Sequence, residues 1–126
     1  MNLNQVTIPT IDLEKSIAFY SKLGLELIVH STNNYARFQC PTGSSTFSIQ
    51  LVDELTENNL TKVYFETEAL DNKVSELILM GMEFESLPKD KPWKWREAHL
   101  KDPDNNQIIL YFAGENRLNP PWKIKT

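Results

Sequence analysis

Apolar and polar residues alternate along Gln5-Val-Thr-Ile-Pro9, the period of two expected of a half-buried strand. The period then changes. Leu13, Ile17 and Tyr20 recur at helical spacing, Asp12 stands at the N-cap position, and Gly24 marks the C-terminal stop. Lys15 occupies the place where a capping box would have Glu, so the capping signal is partial. Pro9 lacks a backbone donor and predicts an edge strand or a bulge. Alternation places Val6 and Ile8 under the helix, with Gln5 and Thr7 on the opposite face.

The same pattern returns 57 positions later. Val6 falls on Val63, Ile8 on Phe65, Thr10 on Thr67, Leu13 on Leu70 and Ile17 on Val74. Leu23 falls on Met80, Gly24 on Gly81, Leu25 on Met82, Glu26 on Glu83 and Leu27 on Phe84. Five of these ten pairs are identical and the other five stay apolar. Two copies at so long a period indicate a duplicated supersecondary unit, not a solenoid. In the second copy Leu70, Val74, Leu77 and Ile78 form the helical stripe, ended by Gly81.

Strand-like segments follow each helix. Residues 25–30, 35–40 and 46–52 are separated by turn-rich stretches at 31–34 and 41–45. In the second copy the predicted strands are 82–85, 93–101 and 107–112, with turns at 87–91 and 102–106. The order is βαβββ twice, an α+β architecture. It divides a single domain over 1–126 into module one at about 1–52, a polar acidic linker at 53–60, module two at about 61–113 and a tail at 114–126.

Charge and composition narrow the function classes. The net charge of −4 comes with scattered cations, and the densest basic stretch, Lys89–Arg96, also holds Asp90. That is a poor footprint for a phosphate backbone, so no nucleic-acid partner is expected. The apolar runs at 77–80 and 108–112 are far short of a bilayer span, and Met1–Gln5 has no secretory pattern, so no membrane partner is expected. The one cysteine, Cys40, excludes an intrachain disulfide, fits a cytoplasmic location and reads as a small buried residue. Ser44 and Ser45 have no placed histidine and acid for triad chemistry, and the four glycines make no phosphate loop.

The segment from Gln5 to Tyr20 is similar to the first strand and helix of vicinal oxygen chelate proteins, the glyoxalase/bleomycin-resistance/dioxygenase superfamily. Lys101-Asp-Pro-Asp-Asn-Asn-Gln107 resembles that family's second-module turn, usually Asp-Pro-Asp-Gly-Asn. The resemblance spans Leu3 to Phe112 and implies curved mixed sheets around a concave cavity, and commonly a homodimer. In the family's metalloenzymes it also implies four ligands, two per module. Carried over by position, those slots hold Gln5, Gln50, Lys62 and Ile109. Two neutral amides, an ammonium and an alkyl group do not suit a divalent cation, which prefers imidazole, carboxylate or thiolate. No cofactor and no metal ligands are therefore expected. A divalent metal on a displaced set of Gln5, His99 and Glu97 is the alternative, as in a lactoylglutathione lyase-like or dioxygenase-like enzyme.

Side-chain parity then selects the lining of the cavity. Pairing Arg37 with Ser48 also pairs Tyr35 with Gln50. A hairpin centred on Asp104 sets His99 opposite Ile109 and brings Glu97 and Tyr111 to the same face, with Trp95 one step further out. Candidate ligand-binding residues are Gln5, Tyr35, Arg37, Gln50, Lys62, Tyr64, Glu97, His99, Ile109 and Tyr111, and candidate catalytic residues are Glu97 and His99. Arg37 and Lys62 suit an anionic group, and Tyr64 or Tyr111 a planar one. Competing structural roles are an ion pair of Lys62 with Glu97 or Glu66, and a hydrogen-bonded core position for His99. Trp93 and Trp95 read as one strand face, and Trp122 and Ile124 are expected to dock on the body or on a second subunit. The expected function is metal-independent small-molecule binding. A metal-independent isomerase or epimerase, with Glu97 as base and Lys62 or Arg37 as oxyanion stabiliser, is a further alternative.

Overall fold

The structure is a computed structural model and describes residues 1–125. Contacts divide the chain into two compact units. The first holds β1 (Gln5–Thr10), α1 (Leu13–Leu23), β2 (Glu26–Ser31), β3 (Tyr35–Gln39) and β4 (Thr46–Leu51). The second holds β5 (Lys62–Glu66), α2 (Leu70–Leu79), β6 (Ser86–Asp90), β7 (Arg96–Lys101) and β8 (Gln107–Phe112), then a short 3-10 turn at Gly114–Asn116. Each unit has one four-stranded mixed sheet, ordered β1-β4-β3-β2 and β5-β8-β7-β6. The pairs β1–β4 and β5–β8 are parallel and the rest antiparallel.

In the first unit the capping reading holds at atomic level. Asp12 Oδ1 accepts the Lys15 amide at 3.1 Å, and Gly24 ends α1 at φ 115°, a left-handed conformation that suits glycine. Leu13, Tyr20 and Leu23 are buried, as are Ile8, Ala36, Phe38, Phe47 and Ile49 from the strands. The Tyr20 ring lies 4.6 Å from Phe47 and 6.0 Å from Phe38. Each large apolar side chain withdrawn from water contributes roughly 1.5–3 kcal/mol, so this layer dominates the unit's stability. Pro9 lies on an edge strand, as its missing donor requires. Val6 departs from expectation: near the start of that edge it remains 40% exposed, while Ile8 is buried.

Residues 102–105 belong to the first unit, not to the second module into which the repeat had placed them. The cause is polar. The Tyr20 hydroxyl donates to Asp102 Oδ2 at 2.5 Å, and the Asp104 amide donates to Asp102 Oδ1 at 2.9 Å. Asp104 in turn accepts the Ile11 amide at 2.9 Å and the Ser16 hydroxyl at 3.1 Å. Both carboxylates are buried, and such groups need these donors to offset their lost hydration. Asn105 occupies the turn position where the family motif has glycine, at φ 65°, and asparagine tolerates that region better than most residues.

In the second unit Leu70, Val74 and Leu77 seat α2, and the buried sheet residues include Ala98, Leu100, Ile108 and Leu110. Arg96 donates to both oxygens of Asp71 at 2.9 Å and to Asp90 at 3.0 Å, tying β7 to α2 and to β6. Here the predicted strand positions need correction. Residues 82–85 are irregular, β6 runs over Ser86–Asp90 where a turn was expected, and the turn falls at 91–95. Pro88 obscures this strand in the sequence. It sits on an edge, within the register shift between Ser86 and Lys89, where a missing donor is tolerated. The turn closes through Lys91–Trp95 and Lys94–Lys91 backbone bonds of 2.8 and 3.0 Å, with Lys94 at φ 67°.

Beyond β8 the chain is clipped by one carboxylate. Glu66 Oε2 accepts the amides of Ala113 and Gly114 at 2.9 and 3.0 Å, and Arg117 lies 3.8 Å from Oε1. Trp122 and Ile124 do not dock on the body of their own chain, the first of the two places expected for them: they are 56% and 84% exposed. Glu66→Ala should therefore free the Ala113 and Gly114 amides. Hydrogen exchange there should accelerate about tenfold, the equivalent of one charge-assisted bond, and an unchanged rate would refute the clip.

Candidate functional site

Each unit presents one sheet face that carries polar or aromatic side chains in place of core. On the first, the β3–β4 register sets Tyr35 opposite Gln50 and Arg37 opposite Ser48, the pairing expected from the sequence. A chain of hydrogen bonds runs across this face. Gln5 Oε1 accepts the Thr46 hydroxyl, and Gln5 Nε2 donates to Ser48 Oγ at 2.6 Å. Ser48 Oγ and the Tyr35 hydroxyl share a 2.6 Å bond, and Arg37 Nε donates to the Tyr35 oxygen at 2.9 Å. Burial raises the Tyr35 phenol, but the bonds from Ser48 and Arg37 outweigh it and the net shift is downward. Gln50 turns away to the Asn34 carbonyl at 2.9 Å. Ser48, fully buried, is the centre of this relay, and only its strand pairing hinted at that.

On the second face β7 and β8 set Glu97 opposite Tyr111 and His99 opposite Ile109, again the expected pairing, while Tyr64 lies beside Ile109 across β5 and β8. Trp95 stacks on Tyr111 with centroids 4.5 Å apart and 17° between planes. Tyr64 meets both edge-on, at 5.8 Å from Trp95 and 5.6 Å from Tyr111. Tyr111 is buried with Ile109 and Ala113 in one apolar cluster on the sheet, and Trp95 packs against it. Burial, then the Glu97 charge, pushes the Tyr64 phenol up, and burial, then Glu66, does the same to Tyr111.

Glu97 is 2% exposed and has both oxygens engaged. Oε2 accepts the Trp93 indole N–H at 2.6 Å and Oε1 faces His99 Nε2 at 2.8 Å. Trp93 was read as a strand residue beside Trp95. It lies instead in the 91–95 turn, four residues before its acceptor, and the displaced strand boundary hid that relation. The ion pair considered for Lys62 is not made: Glu97 is held by Trp93 and His99, Glu66 by the tail, and Lys62 is exposed at the start of β5. His30 is exposed, 3.7 Å from Glu14. Cys40 is half-buried, less enclosed than expected, and burial pushes its thiol up.

The four slot residues do not fit a divalent cation. Gln5 gives its oxygen to Thr46 and its nitrogen to Ser48, Gln50 turns to Asn34, Lys62 is an ammonium and Ile109 has no donor atom. Among the described residues no three His, Cys, Asp or Glu side chains cluster to make a ligand set elsewhere. Of the displaced set of Gln5, His99 and Glu97, the Gln5 amide is bonded to Thr46 and Ser48, and Glu97 accepts from Trp93 and faces His99. Among the described residues no helix is long and apolar enough to cross a membrane.

Comparison with known proteins agrees with this architecture. A Bacillus subtilis (strain 168) protein of uncharacterized function, YraH, is 28% identical over 127 residues, covering 88% of this chain and 98% of its own length. A crystal structure of a glyoxalase/bleomycin resistance protein/dioxygenase from Nocardioides superposes with a TM-score of 0.77 at 23% identity, over 99% of this chain and 90% of that one. A bleomycin-binding protein complexed with bleomycin superposes with a TM-score of 0.74 at 16% identity, over 89% and 98% of the two chains. At these identities the solved structures speak for the fold alone. The family model described as Glyoxalase/Bleomycin resistance protein/Dioxygenase superfamily matches residues 2–110. The chain belongs to that superfamily.

Proposed function

We propose that this protein binds a small, flat organic molecule on the aromatic face of its second unit, without a metal ion, and acts by sequestering it. The observation that carries this reading is the aromatic group of Trp95, Tyr111 and Tyr64, in which Tyr64 keeps 43% of its surface in water and the neighbouring Trp93 45%. Half-exposed rings held in a fixed arrangement offer stacking area at little entropic cost. The slot residues support metal independence through their chemistry, since an alkyl group and an ammonium cannot ligate. That a bleomycin-binding protein has this fold makes binding without turnover a natural use of it. A cytoplasmic homodimer is the form we expect, on the single cysteine and the family's habit of pairing.

The lyase, dioxygenase and isomerase alternatives each use Glu97 as a ligand or base, and in this structure that carboxylate is hydrogen-bonded to Trp93 and His99. The test combines two measurements on one preparation. Elemental analysis after growth in metal-replete medium should find no stoichiometric metal. Titration with flat aromatic probes should then quench tryptophan emission, and Tyr64→Ala should weaken the response about tenfold, as loss of one stacking partner predicts. Stoichiometric zinc, nickel, manganese or iron would overturn metal independence, and no response to any flat probe would overturn the binding reading.

A further inference from the structure

Glu97 does more than fill space beneath the aromatic face. Its carboxylate is almost wholly buried yet holds two partly exposed rings, the Trp93 indole at Oε2 and the His99 imidazole at Oε1. An ionised carboxylate can only accept, so His99 Nε2 must be the donor in that bond. In the neutral imidazole the proton is then fixed on Nε2, and Nδ1 is left as an acceptor. The His99 side chain retains 26% of its surface, on the face it shares with Ile109. Trp93 and His99 are bound to the two oxygens of one carboxylate, which makes the indole and the imidazole neighbours around Glu97.

We propose that Trp93, Glu97 and His99 form a ligand subsite that selects flat molecules bearing a hydrogen-bond donor at their edge, an N–H or O–H directed at His99 Nδ1. This deepens the proposed function and rests on it. Trp93 supplies the stacking surface, His99 reads the ligand's edge, and Glu97 is a positioning residue that sets which edge is accepted. The selectivity follows from the cost of a mismatch: a ligand with an acceptor at that edge would face a lone pair with a lone pair, and one with neither would leave Nδ1 unpaired.

The buried carboxylate makes an unusual variant informative. In Glu97→Gln the indole N–H of Trp93 still needs an acceptor, which orients the amide oxygen toward it. The amide nitrogen then faces His99 and donates to Nε2, which must become the acceptor. The imidazole proton moves to Nδ1, and the subsite's preference inverts from donors to acceptors.

Indole, N-methylindole and quinoline separate these states, because all three are flat fused bicycles and their ring nitrogen presents a donor, neither, and an acceptor respectively. The experiment titrates each into the whole protein at pH 9, followed by ligand-observed NMR. Indole should bind the wild-type protein about tenfold more tightly than N-methylindole or quinoline. Glu97→Gln should reverse the order and favour quinoline. His99→Phe, which keeps a ring of similar size, should bind all three alike and guards against a folding failure of the glutamine variant. Retention of the indole preference in either variant would overturn the subsite. Equal binding of all three by the wild-type protein would overturn it while leaving sequestration intact, whereas failure of any probe to bind would remove both readings.

Discussion

Substituting Tyr20 by phenylalanine should destabilise the first unit by about 2–3 kcal/mol at pH 7, and the deficit should shrink above pH 10. The substitution keeps the ring and its contacts with Phe38 and Phe47, and deletes only the hydroxyl that donates to buried Asp102 at 2.5 Å. Hydrogen bonds to charged groups contribute about 1.5–3 kcal/mol, and a buried carboxylate deprived of a donor carries a desolvation penalty besides. The pH dependence follows from linkage. Burial first, and the Asp102 charge second, push the Tyr20 phenol far above its ordinary 10.0. A group raised in the folded state contributes stability that is whole below its unfolded value and declines as pH climbs past it. The wild-type protein should thus lose about 1.4 kcal/mol of its advantage over the variant by pH 11, one unit above the unfolded phenol. The other tyrosines titrate in both proteins and cancel from the comparison. Urea unfolding at pH 7 and pH 11 measures the gap, and a gap that stays constant would refute the buried Tyr20–Asp102 bond.

The second large effect belongs to α2. Leu77→Ala should cost 2–5 kcal/mol, because Leu77 is fully buried and truncation leaves both lost transfer energy and a void. Leu79 on the same helix is 88% exposed, and Leu79→Ala should change stability by less than about 0.5 kcal/mol. The pair shares one chemistry and one helix, so intrinsic helix propensity divides out and only burial differs. Denaturant midpoints at matched slopes provide the measurement. Similar losses in the two variants would mean that the seat of α2 on its sheet is misassigned.

These two tests also show which parts of the molecule were legible beforehand. Tyr20 and Leu77 lie on stripes whose period is fixed by helix geometry, and the 57-residue repeat reinforced both, so the core face was readable from spacing. Pairings such as His99 with Ile109 were readable too, because a tight hairpin permits few centres. What escaped was the part governed by a local exception. Pro88 reads as a breaker, yet an edge position and a bulge absorb it, and the error displaced β6 and concealed the turn that carries Trp93. The polar contacts of Ser48, Glu97 and Asp102 were hidden for a different reason. Hydrogen-bond partners depend on side-chain direction at sub-ångström precision, which residue order alone does not encode. The displaced strand therefore cost the reading its most specific piece of chemistry, the Trp93–Glu97–His99 group.

The edges of the two sheets have a bearing on how the protein behaves at high concentration. β1 carries Pro9, β2 has a register shift between Leu27 and Val29, and β6 combines Pro88 with a shift of its own. Each of these interrupts the regular row of donors and acceptors that an incoming strand would need. Among the described residues, β5 is the edge with a continuous, proline-free ladder, and its end residues are charged, Lys62 at one end and Glu66 at the other. Among the described residues, a foreign strand lengthening either sheet, whether orderly or pathological, finds its regular seam along β5, which begins at the exposed ammonium of Lys62 and ends where Glu66 clips the tail.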